Sequence, residues 1–207
     1  MSLFLDNVVD KNSLASDGRT PFHIAAQNGH LKICELILKD LEDKNPGDIT
    51  GTTPLHNAAE EGYFEICKVI SGFLSLEDKN PPNNEGKTPL HLAAKSGSFE
   101  VFKWISMDIE DKNPGDNVGQ TPLHEAAEED HFKISKFIVD NVADKNPGDI
   151  WGNTPLHFAA KHGNFEVCKY LIQNIVDKDP KNKHGETPFQ CVAEEKLEEY
   201  FKMIESS

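Results

Sequence analysis

Paired cysteines, a surplus of basic side chains and long apolar runs are all missing from this sequence, and each absence removes a class of function. Cys34, Cys67, Cys168 and Cys191 form no C-x-x-C pair, which argues against a zinc site or a disulfide framework. Lys and Arg number 21 against 35 Asp and Glu, a net charge of −14. Nucleic acid is therefore not an expected partner, since phosphate binding draws on clustered cations. Basic proteins are permitted as partners without being required. No apolar stretch is long enough to insert in a membrane. With no secretory segment before the first repeating unit and no disulfide pattern, a cytoplasmic or nuclear protein is expected. A nucleophile elbow, a phosphate-cradling glycine loop and paired metal ligands are missing too, so neither enzyme, cofactor nor metal is expected.

What the sequence does have is a ruler. Thr-Pro-Leu-His stands at Thr53–His56, Thr88–His91, Thr121–His124 and Thr154–His157, with looser copies at Thr20–His23 and Thr187–Gln190. Successive threonines are 33, 35, 33, 33 and 33 residues apart. A fixed period in this range marks a stacked array, in which each unit buries its apolar face only against its neighbours.

Residues 116–148 show how one unit is built. Thr121 can cap a helix with its hydroxyl, Pro122 suits the first turn, and Ala126-Ala127 let another helix approach closely. The first helix stops at a glycine in most units (Gly29, Gly62, Gly97, Gly163), where a positive φ costs little; Asp130 takes that place here. A second helix carries Phe132, Ile134, Phe137 and Ile138 as a buried stripe, and Asp144-Lys145-Asn146-Pro147-Gly148-Asp149 reverses the chain.

The pattern Asp-x-x-Gly-x-Thr-Pro-Leu-His-x-Ala-Ala-x-x-Gly, complete over residues 149–167, closely resembles the ankyrin repeat and covers nearly all of residues 15–207. The resemblance implies an all-α solenoid of stacked helix-turn-helix units with hairpin-like finger loops and a concave face. The domain is read as a single array. Residues 1–14 form an incomplete first unit, since 3–12 align with 137–146, and full units span 15–47, 48–82, 83–115, 116–148 and 149–181. Residues 182–207 form a terminal unit whose Glu194, Glu195, Lys196, Glu198 and Glu199 suit a solvent-facing end. On this reading the array is finished at its carboxyl end and cut at its amino end. Two departures stand out: Leu41, Val142 or Ile175 replaces the glycine usual after helix two, and the finger carries a lysine between Asp and Asn. A locally altered helix end is expected. The second unit has two extra residues within Ser71–Leu76, whose Phe73, Leu74 and Leu76 are expected to pack on a neighbouring helix; the insertion either shifts one finger or is a tolerated loop.

Register separates scaffold from surface. Cys34, Cys67 and Cys168 share a position that also accepts Phe102 and Ser135, which marks it as packing. His23, His56, His91, His124 and His157 repeat with the fold; the resemblance implies that each imidazole bonds backbone between units, and Gln190 can stand in for one. Trp104 shares its register with Phe137 and Tyr170 and is assigned to the core or convex face.

The same resemblance implies a protein partner, bound by a monomer on the finger tips and the exposed face of helix one. Helix one ends on Gln27-Asn28, Glu60-Glu61, Lys95-Ser96, Glu128-Glu129, Lys161-His162 and Glu194-Glu195, with charge alternating in sign from the second unit on. Either these pairs form a charge-striped groove that selects a complementary partner, or they neutralise one another as surface pairs. Ile49, Val118, Ile150 and Trp151 are apolar where a turn is normally polar; Trp151 is an interface anchor or packs on an adjacent finger. Glu125 occupies the variable position after the histidine, with Ile24, Asn57, Leu92, Phe158 and Cys191 at the equivalent places. Two other functions stay open: an architectural segment of a larger array, and a substrate for hydroxylation of the finger asparagines Asn45, Asn80, Asn113 and Asn146.

Overall fold

The computed structural model describes residues 14–205, so the incomplete first unit falls almost wholly outside the described residues. Eleven α-helices and no strand occur among the described residues. They come as pairs: α1 (Pro21–Gln27) with α2 (Leu31–Asp40), α3 (Pro54–Glu60) with α4 (Phe64–Ser71), and α5 (Pro89–Lys95) with α6 (Phe99–Ser106). The series continues with α7 (Pro122–Glu128) and α8 (Phe132–Asn141), then α9 (Pro155–His162) and α10 (Phe165–Asn174), and closes on α11 (Leu197–Glu205). First helices stack in one layer (α1, α3, α5, α7, α9) and second helices in another (α2, α4, α6, α8, α10, α11).

Packing explains the sequence ruler residue by residue. Phe22, Leu55, Leu90, Leu123 and Leu156 are fully buried, and Ala58-Ala59, Ala93-Ala94, Ala126-Ala127 and Ala159-Ala160 have no exposed surface, which lets the first helices sit close together. Each proline occupies the start of its helix, where a missing amide costs nothing. The helix starts use the histidine as much as the threonine. Nδ1 of His23, His56, His91, His124 and His157 accepts the backbone N–H of the capping threonine at 3.0–3.2 Å and lies 2.9–3.0 Å from its hydroxyl. The opposite nitrogen, Nε2, donates to a carbonyl of the next unit (Thr52, Lys87, Gln120, Asn153, Glu186) at 3.0–3.1 Å. One nitrogen faces donors and the other an acceptor, so the neutral Nε2–H tautomer is imposed by geometry.

Turns and helix ends follow the expected residues. Gly97 has φ 73°, and a Cβ there would fall 2.5 Å from the His131 ring, so the glycine serves both the turn and the close stacking of units. Asp130, in the same register, adopts φ 60° and carries the left-handed conformation despite its side chain. The replacements after helix two do alter the helix end. Leu41, Val142 and Ile175 take extended backbone, and Leu41 and Ile175 turn their side chains into the core. The finger lysine has a use as well: Lys44 Nζ donates to the Leu38 carbonyl at 2.6 Å, in the last turn of α2.

Two expectations need correcting. In the last unit the first helix is reduced to a 3-10 turn at Phe189–Cys191, after which Val192 and Ala193 extend and a second turn, Glu194–Lys196, leads into α11. Gln190 still does the histidine's first task, its Oε1 accepting the Thr187 N–H at 2.9 Å. In the second unit Leu74 packs on the core, but Phe73 and Leu76 are more than half exposed, because the insertion carries them past the end of α4. The finger beyond it is not displaced, since the Asn84 N–H still reaches the Thr50 carbonyl at 2.8 Å.

Candidate functional site

Each finger is a tight turn held by its own first residue. Asp149 Oδ1 accepts the N–H groups of Trp151 and Asn153 at 2.9 and 2.8 Å; Asp48 and Asp116 do the same in their fingers, and Asn83 and Asn182 in theirs. Adjacent fingers are then joined by one backbone bond apiece. The N–H groups of Ile49, Asn84, Asn117, Ile150 and Lys183 donate to the carbonyls of Asp17, Thr50, Glu85, Val118 and Trp151 at 2.8–3.1 Å. This ladder holds the tips at fixed spacing. Its apolar side chains face solvent: Ile49 is 67% exposed, Ile150 48% and Trp151 44%, whereas Val118 is half-buried.

The ends of helix one place Glu60, Glu61, Lys95, Glu129 and Lys161 in solvent, with Glu128 and His162 half-exposed. His162 Nε2 lies 3.7 Å from Glu128 Oε1, so these two side chains approach each other across adjacent units. Glu60, Glu61, Lys95, Glu129 and Lys161 form no ion pair among the described residues. Glu125 differs from all of these. It is 5% exposed, and its carboxylate meets Lys87 Nζ at 2.8 Å, so it turns inward to join two units. Phe158 is half-buried and sets its ring edge-to-face with His124 at 5.3 Å, and Asn57 is buried; Ile24 alone of this variable column is clearly exposed, at 45%.

The family model for ankyrin repeats (3 copies) matches residues 1–73, 69–149 and 141–205, which together span nearly the whole chain. The chain belongs to the ankyrin-repeat family. No individual curated protein matches it. Ankyrin repeats serve in general as protein-interaction modules and are typically without catalytic activity.

Within this ankyrin array the repeating polar residues are taken up by the stack. The finger asparagines are half-buried, and Oδ1 of Asn45, Asn80, Asn113 and Asn146 accepts the N–H of Leu55, Leu90, Leu123 and Leu156 at 2.9–3.4 Å, closing an otherwise open amide at the start of each first helix. Burial pushes the thiols up, Cys34 to about 11 and Cys67 and Cys168 to about 12, which keeps them protonated and inert.

Two features of the ankyrin stack were not drawn from the sequence. The ion-pair partner of Glu125 lies 38 residues upstream and carries no periodic signal. The other feature was periodic. Phe64, Phe99 and Phe132 open successive second helices and meet Trp104, Phe137 and Tyr170 of the following unit edge-to-face, at centroid distances of 5.9, 6.0 and 5.6 Å. An aromatic at the first position of helix two, answered five places along in the next unit, was the available sign of this ladder.

Proposed function

We propose that this ankyrin-repeat chain binds a protein partner across its finger tips and the exposed ends of helix one, and does so without catalysis. The observation that carries the reading is the exposure of Ile49, Ile150 and Trp151 on fingers tied together by an unbroken backbone ladder. Large apolar side chains on a pre-ordered frame can act as anchors, because little entropy remains to be lost when a partner covers them. The exposed Glu60, Glu61, Lys95, Glu129 and Lys161 beside them supply charge that steers and selects more than it adds affinity. Glu128 and His162 satisfy each other in part and contribute less, as half-exposed surface pairs do. Glu125 sets the frame through Lys87 and is not a contact in this reading. A partner of ordinary footprint would cover about 800 Å² of this surface.

Affinity capture from source cells with the wild type, with Trp151→Ala plus Ile49→Ala, and with Glu128→Lys plus Glu129→Lys tests the assignment. For a partner recovered with the wild type, the apolar variant is expected to weaken binding roughly tenfold or more at unchanged helical signal. Equal affinity of both variants and the wild type would remove this surface from consideration.

A further inference from the structure

The layer of second helices is sealed at three successive joints by the aromatic ladder, α4 on α6, α6 on α8 and α8 on α10. At the joint between α2 and α4 the corresponding residues are Leu31 and Val69, and no aromatic rung forms. A groove of about 460 Å³ opens there, lined by Lys32, Glu35, Leu36, Lys39, Val69 and Phe73. Four of these residues lie on one stripe of α2, at the i, i+3, i+4 and i+7 spacing that gives a helix a single face. The remaining wall comes from α4 and from Phe73, which the insertion of the second unit brings to the groove; Phe73 is 54% exposed and Leu36 42%. Two departures from regularity in this array, a missing rung and two extra residues, thus meet at one place.

Charge at this place runs against the chain as a whole. In a protein with net charge −14, the groove presents Lys32 and Lys39 against Glu35 alone. Lys44 lies over the Phe73 ring at 5.3 Å, but it lines a neighbouring cleft and donates to the Leu38 carbonyl. Glu35 is engaged by Lys32 at 3.1 Å, so Lys39 faces solvent with no ion pair among the described residues. The acidic Glu42, Asp43 and Asp78 stand in a separate cleft that Phe73 also lines.

We propose that this groove is a second docking surface, distinct from the fingers, and that its occupant is an amphipathic helix of a partner protein carrying carboxylates beside its apolar stripe. Leucine-sized side chains of such a helix enter between Leu36, Val69 and Phe73, as apolar anchors do in helix-in-groove recognition. Its flanking carboxylates meet Lys39, the groove's cation without an ion pair among the described residues, which selects an acidic helix over a basic one.

The probe is a fluorescent helical peptide with leucines along one face and glutamates flanking them, titrated with the full chain and compared with the same peptide bearing lysines in place of the glutamates. Saturable binding of the glutamate peptide is expected, weakened roughly tenfold by Phe73→Ala and further by Lys39→Glu, with thermal unfolding unchanged because both side chains are exposed. Lys39→Glu is also expected to narrow the preference for the glutamate peptide over the lysine peptide. No saturable binding, equal binding of the two peptides, or binding indifferent to Phe73→Ala overturns the proposal. Self-association in sedimentation that Phe73→Ala abolishes, without peptide binding, would assign the groove to a second copy of the chain and overturn it equally.

Discussion

Lys87 Nζ and Glu125 Oε1 lie 2.8 Å apart and tie the third finger to α7 of the following unit. The carboxylate is 6% exposed and the lysine 21%, so the two ends of the pair are not equivalent. Burial alone would lower the lysine pKa, but hydrogen bonding and attraction to Glu125 reverse this and raise it. Lys87→Ala leaves a buried carboxylate without a cation and is expected to cost about 2–3 kcal/mol in urea unfolding. Glu125→Ala leaves a lysine that can turn to solvent and is expected to cost about 1 kcal/mol. Equal costs would mean that the carboxylate is better solvated than its burial indicates.

Acid sensitivity should come from the repeating histidines. Burial depresses His56 and His124 to about 4, and it lowers His23 and His91 as well, because a charged imidazole would be held away from water. In the unfolded chain these groups titrate near 6.5. Between pH 6.5 and about 4 the unfolded state therefore binds more protons, so stability is fully present above 6.5 and is lost as pH falls through this window. For His56 and His124 the loss is of order 3 kcal/mol each. Urea midpoints across this range measure it. His124→Gln, which keeps an acceptor for the Thr121 N–H as Gln190 does for Thr187, is expected to lower stability at pH 7 and flatten the pH dependence.

A third prediction concerns the turn between helices. Asp130 holds φ 60° where its counterparts are glycine, so Asp130→Gly is expected to raise stability by about 0.5–1 kcal/mol. Gly97→Ala should do the reverse and cost more, because the new methyl would stand 2.5 Å from the His131 ring. Calorimetry of the two variants gives shifts of opposite sign if the backbone conformation governs.

Much of this architecture was legible because a stack repeats its requirements. Thr121, Pro122, Leu123, His124 and Ala126-Ala127 each meet the same neighbours as their equivalents, so periodicity reported helix starts, core and close approach together. The last unit escaped that logic. There the Thr-Pro signal at Thr187-Pro188 starts only a 3-10 turn, and the chain extends at Val192 and Ala193 where the other units continue their first helix. The insertion was visible as a break in the period, but not the exposure of Phe73, which depends on where α4 stops. At the candidate surface, register located Trp151, Ile150 and Ile49 on the finger tips and the charged pairs on the ends of helix one, except Glu194-Glu195, which falls in the 3-10 turn that leads into α11. It could not show that Glu125 is spent on Lys87, because that contact joins two positions that vary independently from unit to unit.

The central claim is that repeating residues hold the stack while the non-repeating finger-tip residues meet the partner. Site-specific photo-crosslinking tests it most directly, with a photoreactive side chain at position 151 and, as a control, at position 176, where Val176 is fully exposed beyond the end of α10. The account predicts a crosslinked partner from position 151 and none from 176. Crosslinking from 176 with none from 151 would contradict it.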